Sequence, residues 1–142
     1  MDIRKNKIMF LQPKRSKYKK LKKGKLKKFT FKNNKLIFGT IGLKSIESGI
    51  ISARHIEAAR QAIVRKIKRK GKLWIRIFPH YPVTKKPTEV RMGKGKGSLS
   101  YWASKIQGGT ILFELCGVPL NVAIAAFKTG GAKLPLKTIV FN

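Results

Sequence analysis

The chain has 142 residues, enough for one domain that buries roughly 70% of its unfolded surface. It carries 34 Lys and Arg against five acidic residues, Asp2, Glu47, Glu57, Glu89 and Glu114, for a net charge of +29. Solubility asks for a charge of only about 2 to 8, so an excess of this size calls for a polyanion, and phosphate contacts also release condensed counterions. No window approaches the roughly 20 apolar residues of a membrane-spanning helix. An interfacial helix has no specific support, and no membrane partner is expected.

Residues 1–35 hold 15 of the basic residues and one acid. In residues 17–28 isolated apolar side chains stand among lysines, too few to offset the entropy of ordering, so this basic arm is expected to be disordered when free and to order on RNA. Tyr18, Phe29 and Phe31 interleave the lysines; they either stack on bases or pin the arm to the folded body. Ile8-Met9-Phe10-Leu11 is too short for a secretory signal, and the start lacks the Arg- and Ser-rich character of a transit peptide. The arm is therefore expected to belong to the mature protein.

From residue 36 the pattern changes, and residues 36–142 are expected to form one globular domain. Residues 36–43 and 49–51 read as strands. Ser52 is a good N-cap, and Ile56, Ala59, Ile63 and Ile67 recur at helical spacing before Gly71. Arg54, Arg65, Lys66, Lys68, Arg69 and Lys70 gather on the other faces and at the C-terminal turn, where cations suit the helix dipole. Residues 73–78 read as a strand alternating around Arg76, and Pro79, Pro82 and Pro87 as an irregular extended segment. Residues 99–107 and 110–116, separated by Gly108-Gly109, suggest a hairpin. Pro119 opens a second helix with Leu120, Ala123, Ile124 and Phe127 on one side, which Gly130-Gly131 weakens or ends, and residues 136–141 close as a strand. The sum is an α+β fold with two helices on a mixed sheet.

Between the predicted strands lies Arg91-Met92-Gly93-Lys94-Gly95-Lys96-Gly97-Ser98. Alternating glycines remove side chains while cations project between them, so backbone and charge can both approach phosphate; the alternative is a flexible hairpin tip. Lys96 is followed by Gly97, which excludes a nucleotide-binding Walker loop, and the dinucleotide spacing is absent too. His55 has no partner four residues away, His80 sits in a Pro-bounded turn, and the carboxylates are scattered singly. Glu57 or Glu89 is expected to hold a neighbouring base. The single Cys116 forms neither an intramolecular disulfide nor a thiolate cluster. These residues point to a non-enzymatic RNA-binding protein with no cofactor and no bound metal.

Two stretches go further. Lys68-Arg69-Lys70-Gly71-Lys72-Leu73-Trp74-Ile75-Arg76-Ile77-Phe78-Pro79, and Lys86-Pro87-Thr88-Glu89-Val90-Arg91-Met92-Gly93-Lys94-Gly95-Lys96-Gly97 with Trp102 five residues on, resemble the bacterial-type large ribosomal subunit protein sixteen family. Leu11-Gln12-Pro13-Lys14-Arg15, Ala53-Arg54-His55-Ile56-Glu57-Ala58-Ala59-Arg60 and Lys133-Leu134-Pro135-Leu136-Lys137-Thr138 extend the resemblance along nearly the whole chain. It implies an α/β-hammerhead-like domain, architectural and not catalytic, on large-subunit rRNA near the peptidyl-transferase centre and the aminoacyl-tRNA site. Its expected partners are large-subunit rRNA, tRNA in the aminoacyl site and neighbouring ribosomal proteins, with no homo-oligomer. Lys14, Arg15, Lys17, Lys19, Lys20, Lys22, Lys23, Arg54, Arg60 and Arg69 are the candidate rRNA contacts. Arg91, Met92, Gly93, Lys94, Gly95, Lys96 and Gly97 form the candidate tRNA-facing loop. The rival reading is a free RNA chaperone or RNA-modifying factor with a basic arm; a membrane-active cationic protein comes third. Lys outnumbers Arg 26 to 8, with abundant Ile and Phe. This bias fits an AT-rich coding genome and suggests an organelle-encoded, mitochondrial protein, with plastid or bacterial cytoplasm as alternatives.

Overall fold

The structure is a computed structural model that describes residues 11–142. The first ten residues of the predicted arm lie outside the described residues.

The helices form where the sequence periodicity places them. Helix α1 spans Ala53–Lys66, with the Ser52 side chain accepting from the His55 N–H at 3.4 Å. Ile56, Ala59 and Ile63 are its buried stripe. The helical hydrogen bonding stops at Ile67, four residues before Gly71, in a turn where Lys68 and Arg69 both take positive φ. Helix α2 spans Leu120–Gly131 and buries Ala123, Ala126, Phe127 and Gly130, while Leu120 is exposed. Gly130-Gly131 therefore completes this helix. A Cβ on Gly130 would stand 2.5 Å from Ile63 Cγ1, so the glycine lets the two helices approach closely.

The α+β class holds, but the expected single mixed sheet is two sheets whose named strands all pair antiparallel. Strands β1 (Ile41–Ser45), β3 (Lys72–Ile75), β6 (Ile111–Cys116) and β7 (Thr138–Phe141) form one, in the order β3-β6-β1-β7. Strands β2 (Gly49–Ser52), β4 (Tyr81–Lys85) and β5 (Ser98–Ile106) form the other, in the order β2-β5-β4. The predicted hairpin across Gly108-Gly109 does not exist, because β5 and β6 belong to different sheets. Those two glycines instead carry the chain between sheets: Gly109 N–H donates to Ser45 O at 2.7 Å and Gly108 N–H to Lys28 O at 3.2 Å. The Pro-rich segment, expected to be irregular, contains β4, and Pro82 is tolerated because β4 is an edge strand.

Ile51, Ile56, Ile63, Leu112, Phe113 and Phe127 meet in one core between the helices and the sheets, and Leu11 reaches the same core. Residues 12–35 contain no helix or extended strand, in keeping with their composition. They run along the folded body.

Candidate nucleic-acid interface

The glycine-rich loop joins β4 to β5, which pair antiparallel, so it is the tip of a hairpin. Its glycines serve two different needs. Gly93, Lys94 and Gly95 all have positive φ, at 100°, 49° and 82°, and a Cβ on either glycine would meet nothing within 4 Å. Here backbone conformation is the constraint. At Gly97 the constraint is space: a Cβ would lie 2.5 Å from Lys85 O on the opposing strand. Arg91, Met92, Lys94 and Lys96 are exposed, Met92 at 93%. The Lys86 ammonium bonds back to Gly93 O across the loop.

The arm lies beside this hairpin. Lys20 donates to Lys96 O at 2.9 Å, and the Lys96 ammonium in turn donates to Leu21 O, so arm and loop hold each other. Further along, the Tyr81 hydroxyl donates to Lys22 O at 3.3 Å and Lys105 donates to Lys23 O, its ammonium 4.0 Å above the Tyr81 ring. Ser48 Oγ then lies 2.6 Å from Lys28 O and accepts from Gly108 N–H at 2.9 Å. Thr30 N–H donates to Gly108 O at 3.0 Å. These contacts satisfy arm carbonyls while lysine side chains stay outside: Lys14, Arg15, Lys17, Lys19, Lys20, Lys22 and Lys23 are all exposed. Of the two readings of the aromatic residues, Phe29 matches the pinning one, packed against Gly109 with 57% of its surface still open; Tyr18 and Phe31 stay 71% and 84% exposed.

The remaining predicted contacts lie on α1. Arg54 is exposed near its start and Arg69 beyond its end. Arg60 is different, because its guanidinium grips Glu57 at 2.8 and 2.6 Å, as expected of that carboxylate. The hydrogen bond from Arg60 holds Glu57 below the usual carboxylate range and raises Arg60 in turn. The structure thus brings the arm and the loop together; Arg54 adjoins them in a cleft it shares with Leu11, Gln12 and the β5 residues Leu99 to Trp102, while Arg69 lies past the far end of α1. Sequence reasoning missed Ser48, Tyr81 and Lys105, the residues that strap the arm. Their partners are backbone carbonyls 20 to 82 positions away, for which sequence offers no signal.

Among the described residues, no three of His, Cys, Asp and Glu come together as a metal site. No described helix is long and apolar enough to cross a membrane.

Comparison with known proteins gives this arrangement its context. Residues 13–141 match the family described as ribosomal protein L16p/L10e. The large ribosomal subunit protein uL16 of Erythrobacter litoralis is 55% identical over 130 residues, covering 92% of this chain and 90% of the relative. That of Blochmanniella pennsylvanica is 55% identical over 134 residues, covering 94% and 99%. That of Christiangramia forsetii is 52% identical over 128 residues, covering 90% and 92%. With its glycine-rich hairpin tip and basic strap inside the matched span, the chain belongs to the ribosomal protein L16p/L10e family.

Proposed function

We propose that the chain is an architectural, non-enzymatic constituent of the large ribosomal subunit, binding large-subunit rRNA through its arm and presenting the Arg91 loop to tRNA in the aminoacyl site. One observation carries this reading beyond family membership: the arm and the hairpin tip form a single cationic unit through Lys20 and Lys96. RNA bound along Lys14, Arg15, Lys17, Lys19, Lys20, Lys22 and Lys23 would fix the position of Arg91, Met92, Gly93, Lys94, Gly95, Lys96 and Gly97. Phosphate contacts position and do not read sequence, which suits a residue set dominated by exposed lysine. Arg54 and Arg69 extend the same role onto α1, and Arg60 contributes from within its pair with Glu57. Neighbouring large-subunit proteins complete the set of partners.

The test is quantitative recovery from ribosomes washed in high salt. One copy per large subunit is expected, whereas a free RNA chaperone or modifying factor would dissociate and be substoichiometric. Within those ribosomes, Arg91→Ala should slow tRNA accommodation while leaving subunit assembly intact. Normal accommodation would refute the role of the loop.

The bacterial sources of the relatives support a ribosome of bacterial type. The finer setting, a mitochondrial matrix ribosome with an organelle-encoded protein, rests on the 26 Lys to 8 Arg bias, with plastid and bacterial cytoplasm as the alternatives. Cell fractionation with the protein's own ribosomes decides among them.

A further inference from the structure

The four-stranded sheet ends in an open strand. In the order β3-β6-β1-β7, β7 pairs only with β1. The register sets Lys44 opposite Ile139 and Gly42 opposite Phe141, and Ile46 N–H donates to Lys137 O at 2.9 Å. Hydrogen-bonded and non-hydrogen-bonded pairs alternate along an antiparallel ladder, so Lys137, Ile139 and Phe141 bond β1 while Thr138 and Val140 turn their N–H and C=O groups to the free edge. No described residue takes these groups. Edge strands are normally blunted by a charge, a proline or a bulge, and Thr138-Ile139-Val140-Phe141 has none of the three. Ile139 and Phe141 are exposed instead.

Beside this edge, β7 and α2 enclose an apolar groove of about 440 Å³. Buried Leu43 and Phe127 form its base, and exposed Leu120 and half-buried Ile124 stand on the α2 wall. Lys128 is the single charged residue lining it. Open main-chain groups at strand spacing next to an apolar groove are the two halves of a strand-addition site: the ladder supplies affinity and the groove takes alternate side chains.

Charge narrows the occupant. A second copy of the chain could supply the strand but brings a further +29, which repels. Among the described acids, Glu47, Glu57 and Glu114 are already held by Lys137, Arg60 and Arg76, so an acid opposite Lys128 has to come from another molecule. RNA meets neither half of the site, since phosphates offer only acceptors to a ladder that needs donors as well and nothing apolar for the groove.

We propose that β7 and the α2 groove bind an extended, acidic segment of a neighbouring large-subunit protein, which adds to the sheet as a fifth strand with apolar side chains at alternate positions in the groove and a carboxylate on Lys128. The proposal rests on the reading of the chain as a large-subunit constituent and states the chemistry of one protein neighbour.

The test places benzoylphenylalanine at position 139 of the full chain within large subunits and irradiates them. The expected product is one protein adduct that survives nuclease, mapped to a segment of net negative charge with alternating apolar residues. The Thr138 and Val140 amides should exchange more slowly in the subunit than in the free chain. The mapped segment, made as a synthetic peptide, should bind the free chain. Thr138→Pro removes one outward donor at an edge that tolerates proline and should weaken this binding roughly fivefold. Leu120→Asp puts an acid in the first turn of α2, where the helix dipole accepts it, and should weaken binding roughly tenfold by removing apolar wall and repelling the segment; it serves if the proline variant misfolds. An adduct to rRNA or to a second copy, no adduct, outward amides that exchange as in the free chain, or peptide binding that is absent or unchanged in both variants would overturn the proposal. In each of these cases recovery of the chain at one copy per subunit leaves the ribosomal reading standing, whereas its absence from large subunits brings down both.

Discussion

Arg76 and Glu114 are diagonal neighbours on one face of adjacent chain segments, and their ion pair closes over a carboxylate with no exposed surface. Trp74 is the register partner of Glu114, and Arg76 N–H bonds Leu112 O at 2.9 Å. The carboxylate also accepts from the N–H groups of Phe38 at 2.7 Å, Gly39 at 2.8 Å and Ile37 at 3.3 Å. The ring of Phe38 stacks on Trp74, and the Arg76 guanidinium lies 5.4 Å from it. One buried acid thus fixes the segment that leads from the arm into β1.

This cluster predicts an acid limb in the stability profile. Burial pushes Glu114 up, but the backbone donors Gly39, Phe38 and Ile37, with Arg76, outweigh it and hold the group below the usual range. A carboxylate with a lowered folded-state pKa stabilises fully above its unfolded value of about 4.3 and loses that contribution as pH falls through the folded value. Glu114→Gln should flatten the acid limb, measured by urea unfolding at a series of pH values. Arg76→Met, which leaves the buried charge without its partner, should cost about 3 kcal/mol at neutral pH. The double variant should lose less than the sum of the two. Additive losses would mean that the two groups do not act as a pair.

The glycines that complete α2 should respond oppositely to alanine. Gly130→Ala gains about 1 kcal/mol in helix propensity. It also drives a Cβ into Ile63 at 2.5 Å, and overpacking costs typically about 1 to 3 kcal/mol, so a net loss of about 1 kcal/mol is expected. At Gly131 the nearest atom is the Thr138 hydroxyl, 2.5 Å away but on a side chain free to rotate. Gly131→Ala should be neutral or stabilising by about 0.5 kcal/mol. Thermal unfolding of both variants distinguishes them, and equal effects would show that helix approach does not depend on Gly130.

Helices and most strands were legible because their burial is local and periodic. Ser52, Ile56, Ala59 and Ile63 are enough to place α1, and the glycine-rich motif announced the hairpin tip. What escaped was set by distant partners. The split between sheets depends on Gly108 and Gly109 meeting Lys28 and Ser45, and the strapped arm depends on backbone carbonyls. The Arg76–Glu114 pair left a signal that a scan for paired carboxylates overlooks: each is a lone charge inside an otherwise apolar strand pattern, Leu73-Trp74-Ile75-Arg76-Ile77-Phe78 and Ile111-Leu112-Phe113-Glu114-Leu115-Cys116. Buried charges are rarely left unpaired, so two such anomalies in one chain imply each other. The rRNA and tRNA assignments came from the motif resemblance, since geometry alone shows where cations stand and not which RNA meets them.

Ser48 should control access to the arm. Its hydroxyl meets the Lys27 and Lys28 carbonyls at 2.9 and 2.6 Å and accepts from Gly108 N–H, and Ser48→Ala removes all of these at once. A net loss of about 1 kcal/mol in local closure corresponds to roughly fivefold more of the open form. Tryptic cleavage at Lys27 and Lys28 should accelerate by that factor while global stability changes little, provided that cleavage is slow relative to reclosing. An unchanged cleavage rate would show that the backbone bonds of Thr30 and Lys28 to Gly108 hold this part of the arm without Ser48.

Two substitutions in the hairpin separate scaffold from function. Gly97→Ala places a Cβ against the backbone of Lys85 and Lys86, at 2.5 to 2.8 Å, where no side-chain rotation relieves the clash. It should destabilise the β4–β5 hairpin by about 1 to 3 kcal/mol and loosen the Lys20–Lys96 contact with it. Arg91 is exposed and makes no hydrogen bond or ion pair among the described residues, so Arg91→Ala should change stability by less than about 0.5 kcal/mol. Urea unfolding of the free protein and tRNA accommodation in reconstituted ribosomes should then dissociate: Gly97→Ala lowers both readouts, Arg91→Ala only the second. A loss of stability in Arg91→Ala comparable to that in Gly97→Ala would make Arg91 part of the scaffold and remove the case for a tip held out toward RNA.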